Sequence, residues 1–155
     1  MVKDITIKKI LIAVEDSVYS DKAVAYGFSL GKTLGAELAL VHVNEIPLCS
    51  PYVTDQVLNE PVMIIPELMK IQDEASQRLF VRLIKTAESE LKIKIFEKIG
   101  NPRDEIVSTA DEWTADLIIL GTHGRTGLDH FIVGSVAESI INKTKCPLLI
   151  IPGKE

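Results

Sequence analysis

The spacing of glycines in one short stretch constrains this chain more than any other feature. From Leu117 to Ser135 it reads Leu-Ile-Ile-Leu-Gly-Thr-His-Gly-Arg-Thr-Gly-Leu-Asp-His-Phe-Ile-Val-Gly-Ser. The apolar run Leu117 to Leu120 is too short for a stable helix. It suits a strand covered on both faces, as in a parallel sheet. The run stops at Gly121, and glycines return at Gly124, Gly127 and Gly134. Gly134-Ser135-Val136-Ala137-Glu138 then opens an apolar-periodic helix. Strand, glycine-rich turn and helix start form the general recipe for an anion site. Glycines let backbone N–H groups approach oxygen atoms closely, and the unpaired N–H groups of the next helix add positive potential. A phosphate fits such a place.

Two common phosphate motifs are absent. There is no Gly-x-x-x-x-Gly-Lys-Ser/Thr, and no Gly-x-Gly-x-x-Gly follows the first strand. The pattern present is Gly121-x-x-Gly124, nine residues, then Gly134-Ser135.

The rest of the chain alternates strand and helix. Residues 8–14 predict a strand, turned by Glu15-Asp16-Ser17. A helix follows from about Ser20 to Leu34, with Ala23, Gly27, Leu30 and Leu34 on its apolar stripe and Gly35 at its end. Residues 37–43 predict the second strand. From Asn44 to Pro66 the pattern dissolves under Pro47, Pro51, Pro61 and Pro66, giving a long irregular loop over 44–66. Glu67 to about Leu91 then predicts a long amphipathic helix. Its buried stripe is Leu68, Ile71, Ala75, Leu79, Leu83 and Ala87, with Lys70, Arg78, Arg82 and Lys85 turned away. Residues 92–99 carry lysines among isoleucines, as an edge strand does. Asn101-Pro102 starts a short helix, asparagine capping and proline at the first helical position. Ile106, Ala110 and Trp113 give that helix a face. Residues 147–151 close the chain as a fifth strand. This order implies a single-domain, doubly wound parallel sheet with helices on both faces, spanning residues 1–155.

Bulk properties narrow the partners. A formal net charge of -5 and a pI near 5.3 disfavour nucleic acid and anionic membrane surfaces. No apolar run approaches the ~20 residues of a membrane span, and residues 1–9 lack a signal-peptide core. Cys49 and Cys146 stand in no metal or redox spacing. These features together predict a cytoplasmic protein.

The glycine pattern resembles the nucleotide-binding signature of the universal stress protein family, in its ATP-binding branch. The resemblance covers nearly the whole chain. Lys9 to Val14, Val41-His42-Val43, Gly100-Asn101-Pro102 and Cys146 to Ile151 are similar to family landmarks and fall in the expected order. It implies a five-stranded sheet in the order 3-2-1-4-5. Strands one and four then lie side by side where the winding reverses, and ligands of such sheets bind at the strands' carboxyl ends there.

The resemblance also implies a nucleotide site made of Ala13, Val14, Glu15, Val43, Gly121, Thr122, His123, Gly124, Arg125, Gly134, Ser135 and Val136. Backbone N–H groups of the glycines and the Ser135 hydroxyl would take the phosphates. Ser135-Val-Ala-Glu138 also reads as a capping box, which is compatible with that role. Glu15 falls where the family has aspartate, on the ribose or nearby, and its extra methylene shifts the carboxylate. Asp16 is the alternative if the turn slips by one residue. Val43 matches a position whose backbone contacts adenine; it also fits an ordinary core valine. His123 suits a loop role more than catalysis, and Arg125 fits either a phosphate contact or a solvated loop face. His42, inside an apolar strand, reads as a packed core histidine, and Trp113 as core or rim.

Three functions follow as expectations. The first is a cytoplasmic ATP-binding stress or regulatory protein, a sensor or switch. It would act as a homodimer joined through the 147–151 strand, with Mg²⁺ or Mn²⁺ carried on the phosphates and an unidentified protein partner. The second is a slow ATPase or autophosphorylating enzyme. Against efficient catalysis stand the missing Walker lysine, acidic metal pair and evident base. The third is an interaction module that binds no nucleotide.

Overall fold

Short apolar runs become strands here because each can be covered on both faces by helices. The computed structural model describes residues 5–45, 65–87, 91–122 and 134–153. Along them run β1 (Lys9–Ala13), α1 (Val18–Leu34), β2 (Glu37–Asn44), α2 (Ile65–Ile84), β3 (Ile93–Ile99), α3 (Pro102–Trp113), β4 (Leu117–Gly121), α4 (Ser135–Lys143) and β5 (Leu148–Ile151). All strand pairs are parallel, in the order β3-β2-β1-β4-β5. The doubly wound α/β class and the strand order are those expected. The stretches 46–64 and 123–133, and with them most of the expected 44–66 loop, lie outside the described residues.

The sheet divides the core in two. Ile10, Ile12, Leu40 and Ile119 face α1 and α2, meeting Phe28, Leu79 and Leu83. Leu11, Val41, Ile118 and Leu120 face α3 and α4, meeting Ile106, Trp113 and Ile140. The two central strands are the driest part: Ile10, Leu11, Ile12, Ile118 and Ile119 have no exposed surface. Helix α1 lies unusually close to the sheet. A Cβ on Gly27 would sit 2.3 Å from Ile12 Cδ1, so any larger residue would force that buried side chain to shift.

Helix signals in the sequence mark real ends. Ser17 caps α1, accepting from the Ser20 N–H, and Gly35 ends it at φ 63°. Asn101 caps α3 by accepting from the Arg103 N–H, with Pro102 in the first turn. Pro66 is compatible with helix because it lies in the first turn of α2, where its missing N–H has no partner to lose.

Three expectations need correction. Leu34 is exposed rather than buried; Val24, Phe28 and Gly31 carry the burial of α1 instead. Helix α2 ends at Ile84, not near Leu91. The first half of its predicted stripe is open: Leu68 is 37% and Ile71 61% exposed, and Ala75 is exposed too, whereas Leu79, Phe80 and Leu83 are buried. The helical period is correct, but the first turns of α2 front a cleft instead of the sheet. Arg82 is exposed and turned from the core, as expected, but it is paired. Its guanidinium donates to both Asp21 oxygens at 2.7 and 2.8 Å and to Asp16 Oδ1 at 3.1 Å, tying α2 to the start of α1. Those partners, the Asp21 hydrogen bonds foremost, raise its pKa above the ordinary value.

Among the described residues, no helix is long and apolar enough to cross a membrane. Cys146 donates its thiol hydrogen to the Ala115 carbonyl at 3.2 Å. Burial, then the Asp116 and Asp111 carboxylates, push that thiol up to about 11, so it stays protonated and unreactive.

Candidate functional site

Three strand ends build the site, and the turn after β1 is the most tightly determined. The Val14 N–H donates to the Val41 carbonyl at 2.9 Å, extending the β1–β2 ladder by one residue. The Val14 carbonyl accepts from His42 Nδ1 at 2.8 Å. One residue on, the Glu15 N–H donates to Ser20 Oγ at 2.9 Å, and Ser17 Oγ donates to Glu15 Oε1 at 3.2 Å. The turn carrying Glu15 is therefore held from β2, from α1 and from its own serine. Asp16 is committed to Arg82, which leaves Glu15 as the carboxylate of this turn without a cationic partner among the described residues.

The end of β4 and the start of α4 form the second wall. β4 carries Gly121 to the cleft. A Cβ there would stand 3.1 Å from both Tyr19 Cβ and the Tyr19 carbonyl oxygen, so a larger residue would press on the start of α1. The Thr122 carbonyl accepts from the Gly134 N–H at 2.6 Å, which brings the two ends of the connection together. The expected capping box does not form. Gly134 is the N-cap, Ser135 is the first helical residue, and no side chain caps the helix. The frame has moved one residue because the Gly134 backbone is extended (φ -65°, ψ 155°) and its carbonyl accepts from the Glu138 N–H. The N–H groups of Ser135, Val136 and Ala137 precede that first helical bond and have no intrahelical acceptor.

β2, α2 and α3 supply the third wall. Asn44 is 9% exposed and donates to Ser76 Oγ and Glu97 Oε1, both at 2.9 Å, joining β2 to α2 and β3. Helix α3 begins at the same end of the sheet and brings Asn101, Pro102 and Arg103 to the rim. The Arg103 guanidinium has no ion-pair partner among the described residues.

Between these walls lies one cleft of about 960 Å³. Ala13, Val14, Glu15, Val43, Gly121, Thr122, Gly134, Ser135 and Val136 all line it. Residues from three separate stretches of sequence thus meet at the carboxyl ends of β1, β2 and β4, where the winding reverses. The remaining expected positions, His123, Gly124 and Arg125, lie outside the described residues. Sequence reading missed Asn44, Gln72 and Arg103, which also line the cleft. Arg103 had a usable signal: Asn101-Pro102 starts a helix directly after a strand, so it must open at the same end of the sheet as the glycine loop. His42 is buried and hydrogen-bonded as expected, yet it lines the cleft as well.

The cleft suits an elongated ligand with one anionic end. The start of α4, whose first N–H groups have no intrahelical acceptor, lines one side and Arg103 stands at the rim, while Ile71, Ala75, Val41 and Leu79 give apolar surface elsewhere. Among the described residues, no group of three or more histidine, cysteine or carboxylate side chains is placed to hold a metal.

Known proteins agree with this architecture. A family model described as universal stress protein family matches residues 6–152. Universal stress protein MJ0531 of Methanocaldococcus jannaschii is 36% identical over 152 residues, covering 96% of this chain and 85% of the relative. The solved structure of MJ0577, from the same organism, superposes with a TM-score of 0.80 at 26% identity, covering 97% of this chain and 99% of that one. A universal stress protein from Archaeoglobus fulgidus in complex with dAMP shares the fold at a TM-score of 0.54 and 20% identity, covering 94% and 98%. With fold, strand order and nearly the full length of the chain in agreement, this protein belongs to the universal stress protein family.

Proposed function

We propose that the cleft binds ATP and that the protein works as a nucleotide-dependent regulator in the stress response. The carrying observation is the meeting of Glu15, Val43, Gly121, Gly134 and Ser135 around one cleft, with the unpaired N–H groups of α4 at one end. The α4 end takes the phosphates, Glu15 takes a ribose hydroxyl, and the backbone of Val43 lies two strands away at the base end. His123, Gly124 and Arg125 complete the phosphate loop in this reading. Mg²⁺ or Mn²⁺ travels on the phosphates, since such ions keep most of their water and need few protein ligands. The Archaeoglobus fulgidus relative holds a nucleotide, but at 20% identity it speaks for the fold alone, so the reading stands on the cleft.

The same reading makes the protein a binder with slow turnover at most. A cradle of backbone N–H groups holds ground-state phosphates about as well as a transition state, and binding of that uniform kind gives affinity without rate. The protein is taken to act in the cytoplasm with an unidentified protein partner. Native mass spectrometry of freshly purified protein tests the reading. Retained ATP rather than ADP is expected, on a particle of twice the chain mass; a bare monomer after incubation with ATP contradicts it.

The dimer is proposed to form along β5. This strand ends the sheet and pairs only with β4 among the described strands. The Pro147 and Ile151 carbonyls accept from the Ile118 and Thr122 N–H groups, so by the alternation of a parallel ladder the Leu149 backbone also points inward. Leu148 and Ile150 then present their backbone groups to the free edge. Ile150→Pro is accordingly expected to keep the β4–β5 ladder while removing an outward donor, weakening the dimer at least about tenfold. Light scattering checks this against circular dichroism of the same sample. A folded variant as dimeric as wild type places the interface elsewhere.

A further inference from the structure

Arg82 is an exposed side chain with more partners than a solvated residue needs. One terminal nitrogen, Nη1, donates to both oxygens of Asp21 at 2.7 and 2.8 Å, and the other, Nη2, donates to Asp16 Oδ1 at 3.1 Å. The Arg82, Asp21 and Asp16 side chains remain 44%, 45% and 71% exposed, and a single ion pair so open to water contributes little to stability. The fork does what a single pair would not. It joins the last turn of α2 to two points of one turn of chain, Asp16 just before α1 and Asp21 in its first turn. Asp16 is the apex of that turn, because the Ser17 N–H donates to the Glu15 carbonyl at 2.9 Å and closes a three-residue loop around it. Ser17 and Ser20 fasten the Glu15 end: Ser17 Oγ donates to Glu15 Oε1 at 3.2 Å, and the Glu15 N–H donates to Ser20 Oγ at 2.9 Å. Among the described residues, Arg82 alone holds the Asp16 side chain.

Glu15 and Asp16 line the cleft, and so do Ile71, Gln72, Ala75 and Leu79 of α2. Arg82 therefore ties one wall of the cleft to the turn that carries Glu15. We propose that Arg82 is a positioning residue for Glu15: by holding Asp16 it fixes the turn, so that Glu15 meets the ribose hydroxyls already ordered. This inference rests on the nucleotide reading above and deepens it. The Glu15 side chain is long and its one hydrogen bond, at 3.2 Å, lies at the weak end of the range, so its direction depends on the backbone beneath it. An acceptor fixed beforehand loses less on binding than one the ligand must order. Arginine suits this task better than lysine, since its planar fork presents two nitrogens in fixed geometry to two carboxylates. Charge balance points the same way. Glu15, Asp16 and Asp21 lie close together in the chain, and Arg82 pairs with the last two, leaving Glu15 free to accept from a ligand.

ATP and 2′,3′-dideoxy-ATP share base and phosphates, so the ratio of their affinities reads the ribose hydroxyls alone. Calorimetry with both, on wild type, Arg82→Met and Asp16→Ala, gives the test. Wild type is expected to prefer ATP by about tenfold or more, and each variant by about threefold or less. Changes in net charge act on the two nucleotides alike and cancel in the ratio. Because the fork is exposed, the melting midpoint of each variant should stay within about 4 °C of wild type. A preference undiminished in Arg82→Met overturns the proposal, whether both affinities are unchanged or both fall equally, as a merely widened cleft would make them. A preference lost in one variant and kept in the other also overturns it. Loss with Asp16→Ala alone gives the ribose to Asp16, and loss with Arg82→Met alone leaves Asp16 out of the mechanism. If Arg82→Met fails to fold, Arg82→Lys decides: it keeps the charge but has one nitrogen for two carboxylates, and a wild-type preference there overturns the proposal. Wild type that binds neither nucleotide overturns the nucleotide reading together with this inference, whereas wild type that binds both equally overturns only this one.

Discussion

Ser135→Asp is expected to lose ATP by about a hundredfold while the fold becomes no less stable. Ser135 is the first residue of α4, is exposed, and caps nothing. A carboxylate in the first turn of a helix adds about 0.3–1 kcal/mol of stability through the helix dipole. The same charge stands against the phosphates in the proposed site. One pair of like charges 4 Å apart costs between about 1 kcal/mol in water and about 4 kcal/mol near a protein surface. Several phosphate charges facing one carboxylate bring the loss to the order of a hundredfold. Adenosine, which has no phosphate, should bind wild type and variant alike. Opposite signs for stability and ATP affinity are hard to obtain from general damage, so a melting curve and a titration of the same sample check the prediction. An ATP affinity within threefold of wild type moves the phosphates away from α4.

Ile119→Ala is expected to produce the largest loss of stability, about 2–5 kcal/mol. Ile119 is fully buried in β4, in the cluster that faces α1, and that helix lies too close to the sheet to rearrange freely. The cavity would stay open, because the Gly27 contact already sets the helix–sheet distance. Domains of this kind have about 5–15 kcal/mol in total, so the variant spends much of its margin. At roughly 2–4 °C per kcal/mol, its midpoint should fall by about 4–20 °C. Ile119 does not line the cleft, and ATP affinity of the folded protein should stay within about threefold. Thermal unfolding followed by circular dichroism measures the first effect and calorimetry at low temperature the second. A shift under about 2 °C would mean that the sheet repacks easily.

The strands were legible because their burial is two-sided. Ile10 to Ile12 and Leu117 to Leu120 are apolar at every position, and few structures other than a covered parallel strand accept that. Asn101 and Gly35 were legible for a local reason, since each satisfies or ends a helix through its own backbone or side chain, whereas Ser17, read only as part of a turn, is the cap of α1. Gly121 and Gly134 were legible as the two ends of one connection because strand, turn and helix are contiguous in sequence, and both line the cleft.

What was hidden depended on tertiary placement. Leu68, Ile71 and Ala75 have the same spacing as Leu79 and Leu83, and period alone does not say that α2 overhangs a cleft. The pattern Ser135-x-x-Glu138 fits a capping box, but a cap also needs an extended residue at the right position, and Gly134 takes it. Arg82 looked like a solvated residue because its partners, Asp16 and Asp21, are more than sixty residues away in the chain. His42 was read correctly as buried.

The central claim is that the cleft recognises a nucleotide through its phosphates as well as its nucleoside. Isothermal titration of the wild-type protein with ATP and with adenosine, in the presence of Mg²⁺, tests it most directly. The account predicts one site per chain and ATP at least about thirtyfold tighter than adenosine, with the difference shrinking as salt screens the α4 end. Equal affinities for ATP and adenosine, or no ATP binding at all, would contradict it.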